Sequence, residues 1–252
     1  MVGSPGGVHI GCCGFAAAMH EYVRRFDTVE IQQTFYEPPR RSTAERWRTG
    51  APPAFLFSLK AWQLITHEAS SPTYRRLHLA LDPVQRELVG SFKPTEEVWK
   101  AWLRTRDIAK ILSARVIVFQ CPATFEPTPK NKSHMRMFFS AVRKDVEAAG
   151  LPVHLAWEPR GEWRPQEVRT LCEDLGLIHV VDPFRHEPVT QEVFYVRLHG
   201  TTGYRHRYTD EELERLRAFV ANRPEGFCLF NNISMKEDAI RFRRILGMEP
   251  GD

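Results

Sequence analysis

Eight short runs of β-branched and aromatic residues alternate along the chain with stretches of helical spacing. The runs are VHIGCCG (8–14), TVEIQQTF (28–35), FLFSLKA (55–61), RVIVFQCP (115–122), PVHLAWEPR (152–160), IHVVDPF (178–184), VFYVRLHG (193–200) and GFCLFNNI (226–233). Strands that alternate with helices indicate βα units and a parallel sheet. Eight such units in 252 residues match a (β/α)8 barrel of the TIM type, formed as a single domain over residues 1–252.

An open doubly wound sheet is the alternative fold. Such a sheet normally carries a glycine-rich phosphate loop after its first strand, and this chain has GCCGF there instead of GxGxxG. The residues between runs six and seven are too few for a full helix, which predicts an abbreviated crossover. Residues 66–94 form a long insertion after strand three, and both a lid and a plain surface excursion remain open for it.

Three S/T-x-x-E pairs predict helix starts, because the hydroxyl and the carboxylate can each bond a backbone amide that the helix leaves unpaired. The pairs are Ser42 with Glu45, Thr209 with Glu212, and Ser234 with Glu237. Pro165 suits a first helical turn, and Gly176 and Gly247 suit helix ends.

Composition excludes several classes of protein. The chain has 35 basic and 31 acidic side chains, a net charge of +4, which is too small to indicate a nucleic-acid binder by itself. Its average composition excludes a disordered or fibrous chain. The five cysteines lack CxxC spacing, no apolar run approaches the roughly 18 residues of a membrane span, and the first residues lack the basic region of a signal peptide. We therefore expect a cytoplasmic protein with reduced thiols and no membrane partner; the sequence does not indicate an oligomeric state.

Alternation within the runs turns polar side chains toward the inside of the barrel, mostly where the strands end. On strand two the inward set is Glu30, Gln32 and Thr34. The charged members of the whole inward set are Glu30, Glu158, Asp182, Lys60, Arg160 and Arg197. Buried ions are costly unless they are compensated, so these groups should form a closed salt-bridge network or meet a charged ligand. Charges at the carboxyl ends of barrel strands favour a functional site.

The leading functional hypothesis is an enzyme that acts on a small phosphorylated or nucleotide-like substrate, a hydrolase with carboxylate and histidine chemistry. Lys60, Arg160 and Arg197 would hold the anion. The predicted catalytic residues are Glu30 or Glu158 as general base, His199 as general acid, and Asp182. The predicted substrate-binding set adds Tyr36, His67, Tyr204, Asn231 and Asn232.

A divalent metal is an alternative that the sequence does not favour. His67, His154, His199 and His206, with Glu158 and Asp182, offer ligand atoms, but no HExxH or similar spacing groups them. No metal ligand is assigned, and the cofactor remains unknown. Cys12 or Cys13 would be a nucleophile only if a neighbour lowered its pKa, and small apolar packing is the favoured interpretation of both.

Two further functions remain open. A glycoside hydrolase requires Glu30 and Glu158 to face each other at about 5 to 10 Å. A non-catalytic binder of nucleic acid or of a small anion fits the segment HGTTGYRHRYT (199–209), where arginines can reach phosphate and tyrosines can stack on a ring. The small net charge favours a small anionic ligand over nucleic acid.

The same segments resemble the family known as domain of unknown function 72, the YecE-like proteins. The matching motifs are TVEIQQTFYEPP (28–39), the helix of Trp47, FLFSLKAWQLITH (55–67), VFQCPATF (118–125), WEPRGEW (157–163), Asp182, YVRLHG (195–200), Tyr204, Tyr208 and LFNNI (229–233). The resemblance covers nearly the whole chain and implies a TIM-like barrel with a polar pocket at its C-terminal mouth. The family has no settled activity, so no reaction is implied.

Residues that match the family motifs include every predicted site residue, together with Thr34, Thr66 and Gly200. Two departures stand out. The opening GTSGW motif is Gly11-Cys12-Cys13-Gly14-Phe15 here, and Leu-Pro-Pro after strand four is Cys121-Pro122-Ala123. A role for the hydroxyls or the tryptophan of the opening motif therefore does not transfer to this chain.

Overall fold

The structure, a computed structural model, describes residues 7–221, 223 and 225–248. All eight predicted strands are present and form a closed barrel in chain order, with helices between most neighbouring strands, which confirms the predicted (β/α)8 fold. The strands are β1 (Val8–Cys12), β2 (Thr28–Ile31), β3 (Leu56–Lys60), β4 (Val116–Gln120), β5 (His154–Glu158), β6 (Ile178–Val181), β7 (Val193–Leu198) and β8 (Glu225–Phe230). The opening residues 1–6, on which the expectation about targeting rests, lie outside the described residues.

The helices vary in length from one turn to more than five. They are α1 (Met19–Arg25), α2 (Gln33–Tyr36), α3 (Arg41–Thr49), α4 (Gln63–Thr66), α5 (Pro83–Leu88), α6 (Glu96–Leu112), α7 (Pro129–Ala148), α8 (Pro165–Leu175), α9 (Asp210–Ala221) and α10 (Met235–Ile245). Among the described residues, none of these helices combines the length and the apolarity needed to cross a membrane.

Strand two is shorter than predicted. It ends at Ile31, and α2 begins at Gln33, so the expectation that the strand continues to residue 35 is wrong. The Thr34 hydroxyl donates a 2.7 Å hydrogen bond to the carbonyl of Lys60, and this buried side chain fixes the turn of helix beside the end of β3. The pattern of alternation failed at Thr34 because a single helical turn replaced the strand.

The predicted helix caps are confirmed in part. Thr209 and Glu212 exchange side-chain to backbone hydrogen bonds at the start of α9, at 2.9 and 3.2 Å. Ser42 lies inside α3, where Glu45 instead pairs with Arg41, so that cap is wrong. Ser234 occupies the N-cap position of α10 but makes no capping hydrogen bond through its side chain.

The predicted helix ends hold. Pro165 is the first residue of α8, and Gly176 ends that helix in the left-handed conformation with φ of 54°. Gly247, with φ of 69°, follows the end of α10. Glycine adopts positive φ without the steric cost that other residues carry.

The chain divides into two compact units. The first contains Met1–Ile31, Gly50–Leu56 and Ile178–Asp252, and the second contains Gln32–Thr49 and Phe57–Leu177. The expectation of one domain over residues 1–252 stays a prediction.

In the first unit, α1 anchors the first two strands through Tyr22. Its buried hydroxyl accepts a 2.7 Å hydrogen bond from the Cys12 amide and donates a 2.9 Å bond to the Thr28 carbonyl. The two strands approach so closely that a Cβ on Gly11 would lie 2.1 Å from the Thr28 oxygen. Glycine at position 11 is therefore required by packing between strands.

In the second unit, Phe119, an outward side chain of β4, lies at the centre of an aromatic core. Phe119 is fully buried and packs against Trp102 of α6 and Phe139 of α7, with ring centroids 6.3 and 5.0 Å apart. Aromatic pairs at this spacing add stability beyond the area they bury. Because Phe119 faces the helices, the side chain of Gln120 must point to the barrel side.

The two predicted irregular connections are also present. No helix occurs in the described stretch between β6 and β7, so the abbreviated crossover is confirmed. The insertion 66–94 contains a 3-10 helix, Pro72–Arg76, and α5. The end of the insertion bonds to α4: the amides of Gly90 and Phe92 donate to the carbonyls of Leu64 and Ile65 at 2.7 and 2.9 Å. A lid function for the insertion stays a prediction.

Candidate functional site

In the second unit, three neighbouring strands end on polar side chains. Lys60, Gln120 and Glu158 are the last residues of β3, β4 and β5. The strands are parallel, and Gln120 lies opposite Glu158 in the register of β4 and β5. The carboxyl ends of barrel strands form the face on which TIM-barrel sites are built. We call these three residues, together with His67 and Arg160, the strand-end cluster.

Lys60 carries a buried cation. It is 5% exposed, and its ammonium donates a 2.8 Å hydrogen bond to Oε1 of Gln120. Its Nζ also lies 3.8 Å from the centroid of the Phe35 ring, a cation–π geometry. The aromatic face and the amide oxygen offset part of the loss of hydration, so the ammonium is held in one place.

His67 is a buried, neutral imidazole. Its Nδ1 shares a 2.8 Å hydrogen bond with the Thr66 hydroxyl, and its ring packs edge-on against Phe35. Burial, together with the positive charges of Lys60 and Arg160, lowers the pKa of His67 to about 3. The field that acts on His67 is therefore positive, which would favour an anion near it.

Glu158 and Arg160 form an ion pair at the end of β5. Nε and Nη2 of Arg160 approach Oε1 of Glu158 at 3.2 and 3.0 Å. The Glu158 side chain is 8% exposed, whereas the Arg160 side chain is 41% exposed. The guanidinium is thus the part of the strand-end cluster that solvent reaches most easily.

Aromatic side chains border the strand-end cluster. The carbonyl of Tyr36 accepts hydrogen bonds from Nε1 of Trp62 at 3.2 Å and from Nε2 of Gln63 at 2.8 Å. The Arg76 guanidinium, from the insertion, lies 3.9 Å from the centroid of the Tyr36 ring. The ring predicted to bind substrate is therefore covered on one face by an arginine.

The first unit holds a separate buried ion pair. Nη2 of Arg197 on β7 lies 3.1 Å from Oε1 of Glu30 on β2, and the two side chains are 1% and 0% exposed. The Tyr195 hydroxyl donates a 2.8 Å hydrogen bond to the other oxygen of Glu30. The Glu30 carboxylate is thus neutralised and bonded on both oxygens, as a buried carboxylate requires.

Asp182 lies beside the predicted histidine acid. Its Oδ2 accepts a 3.1 Å hydrogen bond from the His199 amide and lies 3.7 Å from Nδ1 of the same residue. Its other oxygen, Oδ1, accepts a 3.1 Å hydrogen bond from the Phe184 amide. The His199 side chain is 24% exposed while that of Asp182 is 6% exposed, so the ring remains open to solvent and the carboxylate does not.

Buried side chains hold the loop between β7 and α9 in place through hydrogen bonds. The Asn232 amide, fully buried, donates to the His206 carbonyl at 2.8 Å and to Oδ2 of Asp238 at 2.7 Å. The Tyr208 hydroxyl, also buried, accepts a 2.8 Å hydrogen bond from the Gly200 amide. These contacts show Asn232 and Tyr208 as supports of the loop; binding of substrate by Asn232 stays a prediction.

Above those supports, the loop presents an exposed aromatic ring. Tyr204 is 62% exposed, and its carbonyl accepts a 2.7 Å hydrogen bond from the amide of Ile233, which is 57% exposed. Arg205 and Arg207 are exposed on the same loop. Asn231 is half-buried, and its amide bonds to the Leu198 carbonyl at 2.9 Å.

The cysteines are all free and buried. Burial raises the pKa of Cys12 to about 12 and that of Cys13 well above its ordinary value. A nucleophilic thiolate is disfavoured at either position, in line with packing as their role.

No group of three histidine, cysteine, aspartate or glutamate side chains that could hold a metal ion occurs among the described residues. Of the six predicted metal-capable groups, His206 bonds Glu212 at 2.8 Å and His199 lies beside Asp182.

Two supporting residues were missed by the sequence interpretation. Gln120 anchors Lys60, and Tyr195 anchors Glu30. Strand parity would have indicated that both side chains face inward, because Gln120 follows the outward Phe119 by one residue and Tyr195 precedes Arg197 by two. Their neutral side chains drew less attention than the charged ones.

A closed barrel of eight strands with charged side chains at the strand ends defines a TIM-barrel protein. The model of the family described as "Protein of unknown function DUF72" matches residues 13–249, and the chain belongs to that family. No curated protein matches the sequence.

Solved structures with similar folds include two members of the same family. A DUF72 family protein from Enterococcus faecalis V583 has a TM-score of 0.73 and 17% sequence identity over 97% of each chain. One from Thermotoga maritima MSB8 has a TM-score of 0.67 and 18% identity over 96% of this chain and 99% of that one. A xylose isomerase domain protein from Planctomyces limnophilus has a TM-score of 0.61 and 12% identity over 96% and 97% of the two chains. At these identities the likeness shows the fold alone.

Proposed function

We propose that this protein is an enzyme that binds a small phosphorylated or nucleotide-like substrate through the strand-end cluster. The observation that carries the proposal is geometric: the Lys60 ammonium and the His67 ring both pack against Phe35. Gln120, which holds Lys60, lies opposite Glu158, the partner of Arg160. Burial and the positive charges of Lys60 and Arg160 together lower the pKa of His67. Two cations that act on one buried imidazole form a site suited to an anion with several oxygen atoms.

The two cations have different roles in this proposal. Lys60 is fixed by Gln120 and by the Phe35 ring, so it supplies a preorganised charge. Arg160 is more exposed and already holds the Glu158 carboxylate, so its guanidinium can exchange that partner for a phosphate oxygen. Neutral His67 adds a hydrogen bond without adding charge.

Glu158 is the proposed general base. Its carboxylate lies in the strand-end cluster, and binding of an anion by Arg160 would release it to accept a proton. Glu30 enters the proposal as the residue that holds Arg197, because Arg197 and Tyr195 bond its two oxygens. A role as general acid stays a prediction for His199, whose side chain is 24% exposed and whose ring lies beside Asp182 in the first unit.

Binding of inorganic phosphate and of adenosine monophosphate, measured by calorimetry, tests the anion site. Replacing Lys60 or Arg160 by Met is expected to weaken binding about 10- to 100-fold, because hydrogen bonds to charged groups contribute about 1.5–3 kcal/mol. The matched controls are Lys100→Met on α6 and Arg41→Met on α3, whose exposed salt bridges lie outside the strand-end cluster. Unchanged affinity in both Lys60→Met and Arg160→Met would remove the proposal.

Catalysis is separated from binding by Glu158→Gln. If the protein is an enzyme, this variant should retain phosphate binding. It should lose about 100-fold or more in the turnover of any phosphorylated compound that the wild type converts. A variant that binds and converts the compound as the wild type does would contradict the role of Glu158.

A non-catalytic binder of nucleic acid is the second candidate, favoured by the exposed ring of Tyr204 beside Arg205 and Arg207. Stacking on an aromatic ring and contacts from arginine to phosphate are the usual means of holding a single strand. In the same assays, affinity for an oligonucleotide that falls steeply with salt and is lost in Tyr204→Ala, but kept in Lys60→Met, would support this candidate.

A further inference from the structure

A cavity in the first unit is lined by none of the residues assigned to a function above. It has a volume of about 350 Å³ and opens between α9 and the residues that follow β6. A TIM barrel normally places a helix after each strand. The described stretch between β6 and β7 has none, so one flank of α9 faces a short loop, and the cavity lies there.

The cavity walls combine aromatic rings with guanidinium groups. Phe184 and Phe219 are half-buried, and Leu216 forms part of the same wall. The Arg215 guanidinium lies 5.4 Å from the centroid of the Phe184 ring, and that of Arg223 lies 3.6 Å from the centroid of Phe219. Each ring thus carries a cation on its face.

The charge at the cavity is only partly compensated. Glu187 lines the cavity and approaches Nη2 of Arg223 at 3.4 Å, but its side chain is 80% exposed, so this ion pair is weak. Among the described residues, the Arg215 guanidinium contacts the Phe184 ring. Two arginines against one glutamate leave a net positive charge at an apolar wall.

We propose that this cavity, which we call the crossover cavity, binds a small aromatic anion, such as a carboxylate or phosphate ester carried on one ring. Its volume lies near the lower end of the roughly 300–1,000 Å³ found for ligand pockets, which suits one ring with one charged group. The ring of the ligand packs on Phe184 and Phe219, and its anionic group takes the place of the Glu187 carboxylate beside Arg223 while also meeting Arg215. Planar guanidinium groups bind carboxylate and phosphate oxygens in pairs.

A ligand in the crossover cavity would be connected to Asp182. The Phe184 amide donates to Oδ1 of Asp182, and the Phe184 ring packs against Tyr208 with centroids 5.4 Å apart. Asp182 in turn bonds the His199 amide. Phe184 therefore lines the cavity and also bonds Asp182, the neighbour of His199. Binding to the cavity does not depend on the proposed function.

The test is binding of phenyl phosphate, followed by chemical shifts or calorimetry, in the wild type and in the double variant Lys60→Met/Arg160→Met. Saturable binding with a dissociation constant below about 1 mM is expected in both proteins. Inorganic phosphate and phenol, the two halves of the probe, should each bind the double variant at least about tenfold more weakly, because each lacks one set of contacts.

Arg215→Ala should weaken phenyl phosphate binding to the double variant about tenfold or more, since it removes a charge-assisted contact. Arg217→Ala is the matched control, because Arg217 lies on the same helix and pairs with the exposed Glu214. Absence of saturable binding, or equal affinity in the Arg215 and Arg217 variants, would overturn the proposal. A dimer in light scattering that Arg215→Ala dissociates would assign the cavity to a second copy of the chain and would overturn it as well.

Loss of binding in Lys60→Met/Arg160→Met alone would place phenyl phosphate at the strand-end cluster and overturn the crossover cavity as its site. Conversely, binding that survives in the double variant and is lost on replacing Arg215 supports the cavity whatever the fate of the proposed function. The two proposals can therefore fail independently.

Discussion

Replacing Arg197 by methionine is expected to lower the free energy of unfolding by about 3–5 kcal/mol, because it leaves a buried carboxylate without its cation. Glu30 and Arg197 are 0% and 1% exposed, so solvent cannot compensate for the lost charge. Methionine conserves most of the volume of the side chain, which limits the contribution of a cavity to the effect. The measurement is urea unfolding followed by circular dichroism at pH 7.

Two variants identify the cause of that loss. Glu30→Gln combined with Arg197→Met removes both charges, so no uncompensated ion stays buried. Its free energy of unfolding is expected to lie within about 2 kcal/mol of that of the wild type. Arg217→Met breaks the exposed pair with Glu214 and should cost less than about 1 kcal/mol. A single Arg197 variant as stable as the Arg217 variant, or a double variant no better than the single one, would show that the buried pair does not act as described.

Acid is expected to destabilise the protein through His67. Its pKa is about 3 in the folded chain, whereas the ordinary value is 6.5, so the unfolded chain binds more protons between these two values. Stability from this group is fully present above about pH 6.5 and is lost as pH falls toward 3. Between about pH 7 and 5 the loss amounts to roughly 2 kcal/mol.

His67→Asn tests this directly, because asparagine has no titrating group and can keep a hydrogen bond to the Thr66 hydroxyl. The free energy of unfolding of the variant should fall by about 2 kcal/mol less than that of the wild type between about pH 7 and 5. The prediction fails if wild type and His67→Asn lose stability in parallel over this range.

Much of the fold could be predicted from the sequence because strand runs of this kind are local signals. Each of the eight runs overlaps an observed strand, and the short link between β6 and β7 and the caps at Thr209 and Pro165 were also correctly predicted. The misses were Thr34, Ser42 and the side-chain cap at Ser234, which makes no capping hydrogen bond. Thr34 folds into a helical turn because its hydroxyl bonds the end of β3, a contact that is distant in sequence. Ser42 fits the capping motif, but α3 starts one residue earlier.

The buried charges of the candidate site were predictable from the sequence, but the partners of those charges were not. Strand parity placed Glu30 and Arg197 on the inner side of the first unit, and Lys60 and Glu158 on that of the second. It did not indicate that Gln120 and Phe35 would hold Lys60, or that His67 would be neutral. Those features depend on packing between elements, which a single sequence does not encode in any local pattern.

A crystal structure of the protein with inorganic phosphate, determined together with that of the Lys60→Met variant, tests the proposed anion site most directly. We expect tetrahedral density with oxygen atoms about 3 Å from the Arg160 guanidinium and the Lys60 ammonium, and its loss in the variant. Phosphate bound only elsewhere on the wild-type protein, or retained at the same place in the variant, would contradict an anion site at the ends of β3, β4 and β5.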